Sequence, residues 1–389
     1  MKAALIAVCS LVVALLVYER WPENSPSTGG TLNVSELLGE ADATGFDRAI
    51  GSRTFDFPRD HGPHPGYRTE WWYFTGNLEA ADGRAFGYQL TFFRSALAPE
   101  PAADAGRASR WGTRQVFMAH FALTDVAGNR FFATERFSRA ALGLAGAQAT
   151  PFRVWLEGWN ATATGDDFLP LRLHAETEEV ALTLTLGTAK PVVLQGDGGL
   201  SQKGAAPGNA SWYYAFTRMP SQGELQLGNE VVPVRGESWM DREWSTSALA
   251  PGLVGWDWFA LHLANGYDLM LYQLRTQTGQ ADPFSAGTLV APDGAAVHLA
   301  ASEFGLEPLS FWTSPRSGTR YPIRWRVTIP GHAVALTVEA AIPDQELDVS
   351  VRYWEGSVRV EGTFSSAAVA GRGYLELTGY PEPVTGPAR

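Results

Sequence analysis

The sequence predicts an all-β protein made of two tandem β-barrels, and three observations support this fold class. The first is composition: 41 of 389 residues are Gly and 24 are Pro, charged residues make up only 18%, and aromatic residues make up 12%. Such a chain has ample apolar surface to bury and too few helix-forming charged residues for a helical bundle. The second is the alternation of short apolar runs with turn signals such as Asp82-Gly83 and Asn265-Gly266, which is typical of hairpins. The third is an internal repeat.

An N-terminal segment precedes the barrels and is predicted to direct export. Lys2 stands before an uncharged, mostly apolar run from Ala3 to Val17. This run suits the core of a signal peptide and is shorter than the ~20 residues that span a bilayer. No clean cleavage site follows, so a signal peptide and an uncleaved membrane anchor both stay open. Residues 1–30 are assigned to this segment and its linker, and the protein is expected in the periplasm or anchored to the inner membrane.

Two barrel domains are expected to follow, at residues 50–225 and 230–385. Trp71–Phe74 and Trp256–Phe259 each begin an aromatic hairpin whose return strand carries Tyr, Gln, Leu and Arg. Repetition of a supersecondary unit at this spacing indicates two similar barrels in tandem. The boundary between them is expected between Arg218 and Gly236.

Charge and missing motifs exclude several functional classes. The formal net charge of -11 leaves no basic stripe for phosphates, so no nucleic acid partner is expected. A single cysteine, Cys9, excludes intrachain disulfides, zinc clusters held by several thiolates and a CxxC redox pair. The chain also lacks the nucleophile elbow of serine hydrolases, the Walker and Rossmann glycine motifs, and the zinc-protease motif. No cofactor is therefore predicted.

The segment around Glu70 carries more polar chemistry than a β scaffold needs. His61 and His64 lie in a Gly- and Pro-rich loop, where they either bind a metal or cap turns, and no metal is assigned. Strand alternation places Glu70 and Trp72 on one face and Trp71 on the other. Glu70 is either a buried, hydrogen-bonded carboxylate or an acid whose pKa is tuned by its surroundings.

A second segment provides the strongest candidate for a catalytic acid. Alternation places four side chains on the same face of a predicted strand: Glu237, Trp239, Asp241 and Glu243. A carboxyl group partly buried against Trp acquires a raised pKa and can act as a general acid at neutral pH. Asp241 is that candidate, and an ion pair of Asp241 with Arg242 or Arg235 is the alternative.

Two further strands contribute histidines and an aromatic surface. His120 lies on a strand between Met118 and Ala122, as either a core residue or an acid–base group. Trp256, Trp258 and His262 fall on one face of another strand. Such a face suits a long or flat apolar ligand, although ordinary core packing explains it equally well.

Several of these segments resemble the AttH-like, carotenoid 1,2-hydratase-like (hydroxyneurosporene synthase-like) family. The matching runs are Phe57–Leu78 with its Glu-Trp-Trp-Tyr block, Phe121–Asp125, Trp212–Arg218, Gly236–Ser245 and Gly255–Phe259. The resemblance spans roughly residues 50–380 and implies two lipocalin-like β domains, export and a pocket at or between the domains. It also implies cofactor-free hydration of an acyclic carotenoid, in which an acid protonates the double bond and aromatic rings stabilise the cation.

The resemblance places the hydratase acid at Asp241. The family pattern has a His after this acid where the chain has Arg242, and a further His near Trp212 to Tyr214, where the chain has none. The predicted catalytic residues are Asp241, Glu70 and His120. The predicted ligand-binding residues are Trp71, Trp72, Trp212, Tyr214, Trp239, Trp244, Trp256, Trp258 and His262.

Two functions follow from these observations. The first is a hydro-lyase that hydrates or isomerises a double bond of an apolar, isoprenoid-like substrate. The second is a non-catalytic periplasmic carrier of an apolar ligand, working beside a transporter. A dry acid lined by Trp at Asp241 favours the enzyme, and exposed carboxylates at Asp241 and Glu243 favour the carrier.

Overall fold

A computed structural model describes residues 44–99, 112–247 and 249–381. The predicted signal or anchor segment, residues 1–30, lies outside the described residues. Among those described, the helices are three single turns at Arg59–His61, Ala301–Glu303 and Pro330–His332. None of the helices in this part of the chain has the length and apolar character needed to cross a membrane.

Within the described ranges, thirteen antiparallel strands form a first sheet in the order β4-β3-β2-β1-β13-β12-β9-β8-β7-β6-β5, with β10 and β11 paired to β12. Its strands are β1 (Thr69–Ala80), β2 (Ala85–Ala96), β3 (Gln115–Asp125), β4 (Arg130–Arg139), β5 (Ala145–Gln148), β6 (Arg153–Leu156), β7 (Trp159–Ala163), β8 (Leu171–Glu176), β9 (Val180–Leu186), β10 (Val193–Leu194), β11 (Leu200–Gln202), β12 (Ala210–Leu227) and β13 (Glu230–Ser245).

Ten strands of the same described part form a second sheet in the order β17-β16-β15-β14-β23-β22-β20-β19-β18, with β21 paired to β22. Its strands are β14 (Leu253–Leu263), β15 (Asp268–Thr276), β16 (Ala286–Val290), β17 (Ala296–Ala300), β18 (Gly305–Thr313), β19 (Arg320–Ile329), β20 (Val334–Ala340), β21 (Glu346–Leu347), β22 (Tyr353–Phe364) and β23 (Ala367–Leu377). The predicted all-β class with two barrel-like sheets is confirmed.

Each sheet buries one face of its strands in its own core. In β9 the alternation is regular, with Val180, Leu182, Leu184 and Leu186 buried and the residues between them more exposed. The second sheet encloses a separate cluster around Trp325 and Val327. Because successive side chains of a strand point to opposite faces, the other face is free to meet a neighbour.

The chain passes from the first sheet to the second between Ser245 and Leu253. This lies later than the expected boundary between Arg218 and Gly236. The reason is that β12 and β13 form one long hairpin, and β13 returns to pair with β1. The segment that carries Asp241 therefore belongs to the first sheet.

The two repeated aromatic segments occupy corresponding places in the two sheets. β1 pairs with β2 and β14 pairs with β15 as antiparallel hairpins. A third buried cluster joins the sheets and includes Tyr73 and Trp239 from the first and Trp258 and Tyr272 from the second. The repeat thus places an aromatic hairpin from each sheet on the same shared surface.

Candidate active site

A cavity of about 100 Å³, part of it open to solvent, lies between the two sheets. Its wall combines aromatic rings with carboxyl groups and a lysine, contributed by both sheets. The lining residues are Trp71, Tyr73, Gln89, Phe93, Lys203, Tyr213, Asp241, Glu243, Trp256, Trp258, Tyr272, Leu274, Tyr353, Glu355 and Glu376. An aromatic cavity with a few converging polar groups is the usual form of a small-molecule site.

Asp241 lies on the wall of this cavity and is only 4% exposed. The Tyr213 hydroxyl donates a hydrogen bond to its Oδ2 at 2.7 Å, and the Trp239 indole donates to its Oδ1 at 2.7 Å. Trp258 in turn contacts the Tyr213 oxygen at 3.4 Å. Neither Arg242 nor Arg235 is its partner, so the alternative of an ion pair is replaced by two neutral hydrogen bonds.

This environment favours the protonated acid. Burial raises the pKa of Asp241 to about 8, against the opposing hydrogen bonds from Tyr213 and Trp239, and the nearby charge of Glu243 adds to the rise. A carboxylate out of water is costly without a charged partner. Asp241 therefore holds a proton at neutral pH that it can transfer to a substrate.

Glu243, two residues further along the same face of β13, is a carboxylate paired with a cation and so differs from the protonated Asp241. Its Oε1 lies 3.5 Å from the Lys203 ammonium, which also sits 3.9 Å above the ring of Tyr272. Burial disfavours this ammonium, but the interactions with the Glu243 carboxylate and with Tyr272 together outweigh the burial and raise the pKa of Lys203. A protonated acid beside an ion-paired carboxylate is the arrangement from which acid and base roles are assigned.

The second sheet supplies another pair of acids to the cavity. Glu355 on β22 and Glu376 on β23 are directly opposite each other across the two strands. The Tyr73 hydroxyl donates to Glu355 at 2.5 Å, and the Trp256 indole donates to Glu376 at 3.2 Å. Burial and the charge of Glu376 raise the pKa of Glu355 well above its usual range, and burial raises the pKa of Glu376 to about 7.

His120 lies one residue behind the cavity wall. Its Nδ1 is 2.7 Å from the hydroxyl of Tyr353, which does line the cavity, and its Nε2 is 3.7 Å from Glu135. Burial lowers the pKa of His120 despite that carboxylate, so the ring is neutral at pH 7. His120 is therefore placed to act through Tyr353 and does not contact the cavity directly.

Glu70, predicted as a catalytic residue, lies elsewhere. It is fully buried on the opposite face of β1 from Trp71, between the guanidinium groups of Arg94 and Arg242. Burial alone would raise its pKa, but these two cations hold the pKa of Glu70 well below its usual range. Glu70 is thus an ionised structural centre inside the first sheet and cannot donate a proton in the cavity.

Four of the aromatic residues predicted to bind ligand lie in the core of the first sheet, on the same side as Glu70. Trp72 donates to the His61 carbonyl at 2.9 Å, Trp244 stacks on His64 at 3.8 Å, Tyr214 meets His61 Nδ1 at 2.6 Å, and Trp212 donates to the Tyr67 hydroxyl at 2.9 Å. They pack in the core of the first sheet because strand alternation turns them away from the cavity. Among the described residues, no group of three or more His, Cys, Asp or Glu side chains is arranged to hold a metal ion.

The remaining predicted residues lie at or near the cavity. Trp71, Trp256 and Trp258 line the cavity, and Trp239 donates a hydrogen bond to Asp241. His262 lies at the seam between the sheets, where its Nε2 is 2.6 Å from the Thr217 carbonyl.

Sequence reasoning missed Tyr213, Lys203, Glu355 and Glu376. Tyr213 lies between two rings that were predicted to bind ligand, yet it is the one that faces the cavity. A signal was available in the pairing of β12 with β13, which sets Tyr213 directly opposite Glu243 and so on the same face. That register is invisible without the partner strand, and Glu355 and Glu376 come from the other sheet altogether.

Comparison with known proteins agrees with this architecture. A family model described as AttH-like matches residues 48–380. Kievitone hydratase from Fusarium solani subsp. phaseoli is 24% identical over 229 residues, which are 55% of this chain and 61% of that protein. Dehydratase asqC from Emericella nidulans is 24% identical over 225 residues, 55% of this chain and 62% of that protein. The matches thus extend over less than two thirds of either curated relative.

Two crystal structures share the fold. An AttH from Nitrosomonas europaea superposes with a TM-score of 0.77 at 32% identity, covering 86% of this chain and all of that one. Kievitone hydratase from Nectria haematococca superposes with a TM-score of 0.66 at 16% identity, covering 87% of this chain and 98% of that one. The family model spans both sheets and the cavity between them, and the chain belongs to the AttH-like family.

Proposed function

We propose that this protein is a cofactor-free hydro-lyase that acts on a double bond of an apolar, isoprenoid-like substrate in the cavity between its sheets. The proposal rests on the state of Asp241, which is a protonated carboxylic acid buried against Trp239 and Tyr213. Protonating an unactivated alkene requires a neutral, desolvated acid, because an ionised carboxylate has no proton to give. The hydratase and dehydratase among its relatives support this reaction class.

The proposed reaction balances without a cofactor. In the hydration direction, the alkene π electrons take the Asp241 proton to form a C–H bond, which leaves a carbocation on the other carbon. The faces of Trp71, Trp256 and Trp258 stabilise that cation. Water adds to the cation, and its surplus proton returns to Asp241, either directly or through Glu243. Dehydration is the same sequence in reverse.

The second candidate is a carrier that holds the same ligand without reacting. The aromatic wall favours binding in either case, but a carrier has no need of a buried acid with a raised pKa. Export to the periplasm or anchoring to the inner membrane belongs to this proposal through the composition of residues 1–30, and a transporter partner belongs to it through the family resemblance. Fractionating cells that express the full chain tests the location, and cross-linking in those cells tests the transporter partner.

The decisive experiment couples ligand capture to isotope incorporation. The protein is purified from its native host, and any molecule that copurifies with it is identified by mass spectrometry. That molecule and a set of acyclic polyenes are then incubated with the protein in ¹⁸O-labelled water. We expect wild-type protein to incorporate the label, at a rate that falls as the pH rises above about 8, where Asp241 loses its proton.

Asp241→Asn should lower the rate by at least about 100-fold while it keeps ligand binding. Glu237→Gln is the matched control, because Glu237 lies on the same face of β13 but pairs with Arg218 outside the cavity. This control should retain the rate. Ligand capture with no turnover by wild type or Asp241→Asn would exclude the hydro-lyase and leave the carrier.

A further inference from the structure

One part of the cavity wall presents a buried oxygen that has no hydrogen-bond partner among the described residues. Gln89 is 1% exposed, and its Nε2 donates to Thr91 Oγ1 at 2.6 Å. Its Oε1 is buried and accepts no hydrogen bond from the part of the chain that the structure describes. Glu355, also 1% exposed, accepts a hydrogen bond from Tyr73 at Oε1 and also interacts with the Tyr353 hydroxyl. We call Gln89, Tyr73 and Glu355 the polar end of the cavity.

The strand register places Gln89 and Asp241 on strands that lie on either side of β1. Tyr73 on β1 lies between Asp241 on β13 and Thr91 on β2, as the cross-strand neighbour of both. Neighbouring strands are ~5 Å apart, so the strands carrying Asp241 and Gln89 are separated by ~10 Å. A single ligand can therefore meet the acid with one part and the polar end with another.

The chemistry of the free oxygen defines what that second part must be. The amide oxygen of Gln89 is an acceptor only, so a ligand that displaces water from it without donating a hydrogen bond loses binding free energy. A hydrocarbon, an ether and a ketone all lack a donor for it. A hydroxyl group donates to Gln89 and can accept from Glu355, whose pKa is raised by burial and by the charge of Glu376, so that it carries a proton.

We propose that the ligand is an alcohol: an apolar molecule with a hydroxyl group that donates to Gln89 Oε1 and meets Glu355, while another part of the molecule faces Asp241. This rests on the cavity of the proposed function but does not use its proton-transfer step. The sequence alone indicated an apolar ligand, and the polar end adds one hydrogen-bonding group at a fixed place.

Matched pairs of probes test the hydroxyl group. Geraniol, farnesol and geranylgeraniol are each compared with their methyl ethers, so that the apolar body is constant and only the donor is removed. Binding is followed by quenching of tryptophan fluorescence, since Trp71, Trp256 and Trp258 line the cavity. For at least one chain length, the wild-type protein should bind the alcohol about tenfold or more tightly than the ether.

Gln89→Leu should abolish this preference and bind the ether at least as tightly as wild type. Gln89→Met is a second variant in case the first fails to fold. Gln222→Leu, at an exposed glutamine outside the cavity, should keep the preference. Equal binding of alcohol and ether, no binding of any pair, or a preference that survives in folded Gln89→Leu or Gln89→Met would overturn the proposal.

The two proposals fail in different ways. Asp241→Asn should retain the preference for the alcohol, because Gln89 takes no part in proton transfer. A protein that prefers alcohols but incorporates no labelled water would support the ligand class and exclude the hydro-lyase. A protein that incorporates labelled water but binds alcohol and ether equally would support the hydro-lyase and exclude the alcohol as the ligand class.

Discussion

At the scale of single residues, the burial that is proposed to make Asp241 a proton donor also destabilises the fold at high pH. The side chain is buried beside Trp239 and Tyr213 and has no cation in direct contact. Its pKa of about 8 in the folded protein is far above the value near 4 of an unfolded chain. Between these two pH values the folded state binds more protons than the unfolded state.

This difference in proton binding predicts the direction in which the free energy of unfolding changes with pH. Since the folded state binds the extra proton, the free energy of unfolding of the wild type falls as the pH rises from about 4 to about 8. Asn has the same shape and cannot ionise. We expect Asp241→Asn to be more stable than wild type, with an advantage that grows by about 1 kcal/mol per pH unit between pH ~5 and pH ~7.

Urea unfolding of both proteins across this range measures the difference, in which the titration of all other groups largely cancels. Asp344→Asn, at an exposed carboxyl paired with Arg316, is the control and should show a small difference at every pH. An advantage of Asp241→Asn that does not change with pH would mean that the acid is not protonated in the folded state.

At the scale of elements, β1 serves two different environments with its two faces. Trp71 and Tyr73 face the cavity, while Glu70 and Trp72 lie in the core of the first sheet. Alternation predicted this division of faces correctly from the sequence. Alternation could not predict which face of β1 lines the cavity, because both faces carry Trp and both carry polar side chains.

The buried face of β1 yields the second prediction. Glu70→Gln leaves Arg94 and Arg242 as uncompensated buried cations, and removing one partner of such a cluster typically costs 3–5 kcal/mol, so we expect a loss of about 4 kcal/mol. Glu79→Gln on the same strand removes an exposed carboxylate that pairs with Arg372 at 2.6 Å. This change should cost less than about 1 kcal/mol.

Urea unfolding of the two variants compares the same substitution in the two settings. Equal losses would contradict the structural role assigned to Glu70. A folded Glu70→Gln protein that binds ligand normally would agree with it, since Glu70 lies outside the cavity.

At the scale of the whole molecule, the site exists because two sheets meet. Asp268 of the second sheet is fully buried and binds three groups from the part of the chain that forms the first sheet. Arg218 approaches it at 2.6 Å, Lys190 at 2.8 Å and the Thr217 hydroxyl at 2.9 Å. This cluster fixes how the cavity walls face each other.

Asp268→Asn should therefore weaken the contact between the sheets by about 3–5 kcal/mol, because it leaves the buried Lys190 ammonium without a carboxylate and Arg218 with Glu237 alone. Ligand affinity should fall with it, although Asp268 does not line the cavity. Tryptophan fluorescence titration and protease cleavage at residues 246–252 measure the two effects. Unchanged affinity and unchanged protease resistance would show that the sheets are held together by other contacts.

The sequence by itself determined the strands, the faces of each strand and the family. These properties depend on residues close together in the chain: alternation with period two gave the shared face of Trp239, Asp241 and Glu243, and turn signals gave the hairpins. Because the order of side chains on a strand is local, the sequence was enough to propose Asp241 as an acid and to place Trp239 on the same face.

Only the tertiary structure decided which of those faces meet. Tyr73 and Glu355 are 282 positions apart and share a hydrogen bond in the cavity wall. Tyr213 and Lys203 reach Asp241 and Glu243 through strand register and loop position. Glu70 is held outside the cavity by Arg94 and Arg242, which lie on the two strands paired with β1. Cross-strand and cross-sheet contacts are set by pairing and packing of the whole chain. The composition of the active site is therefore a property of the assembled sheets and not of any one segment.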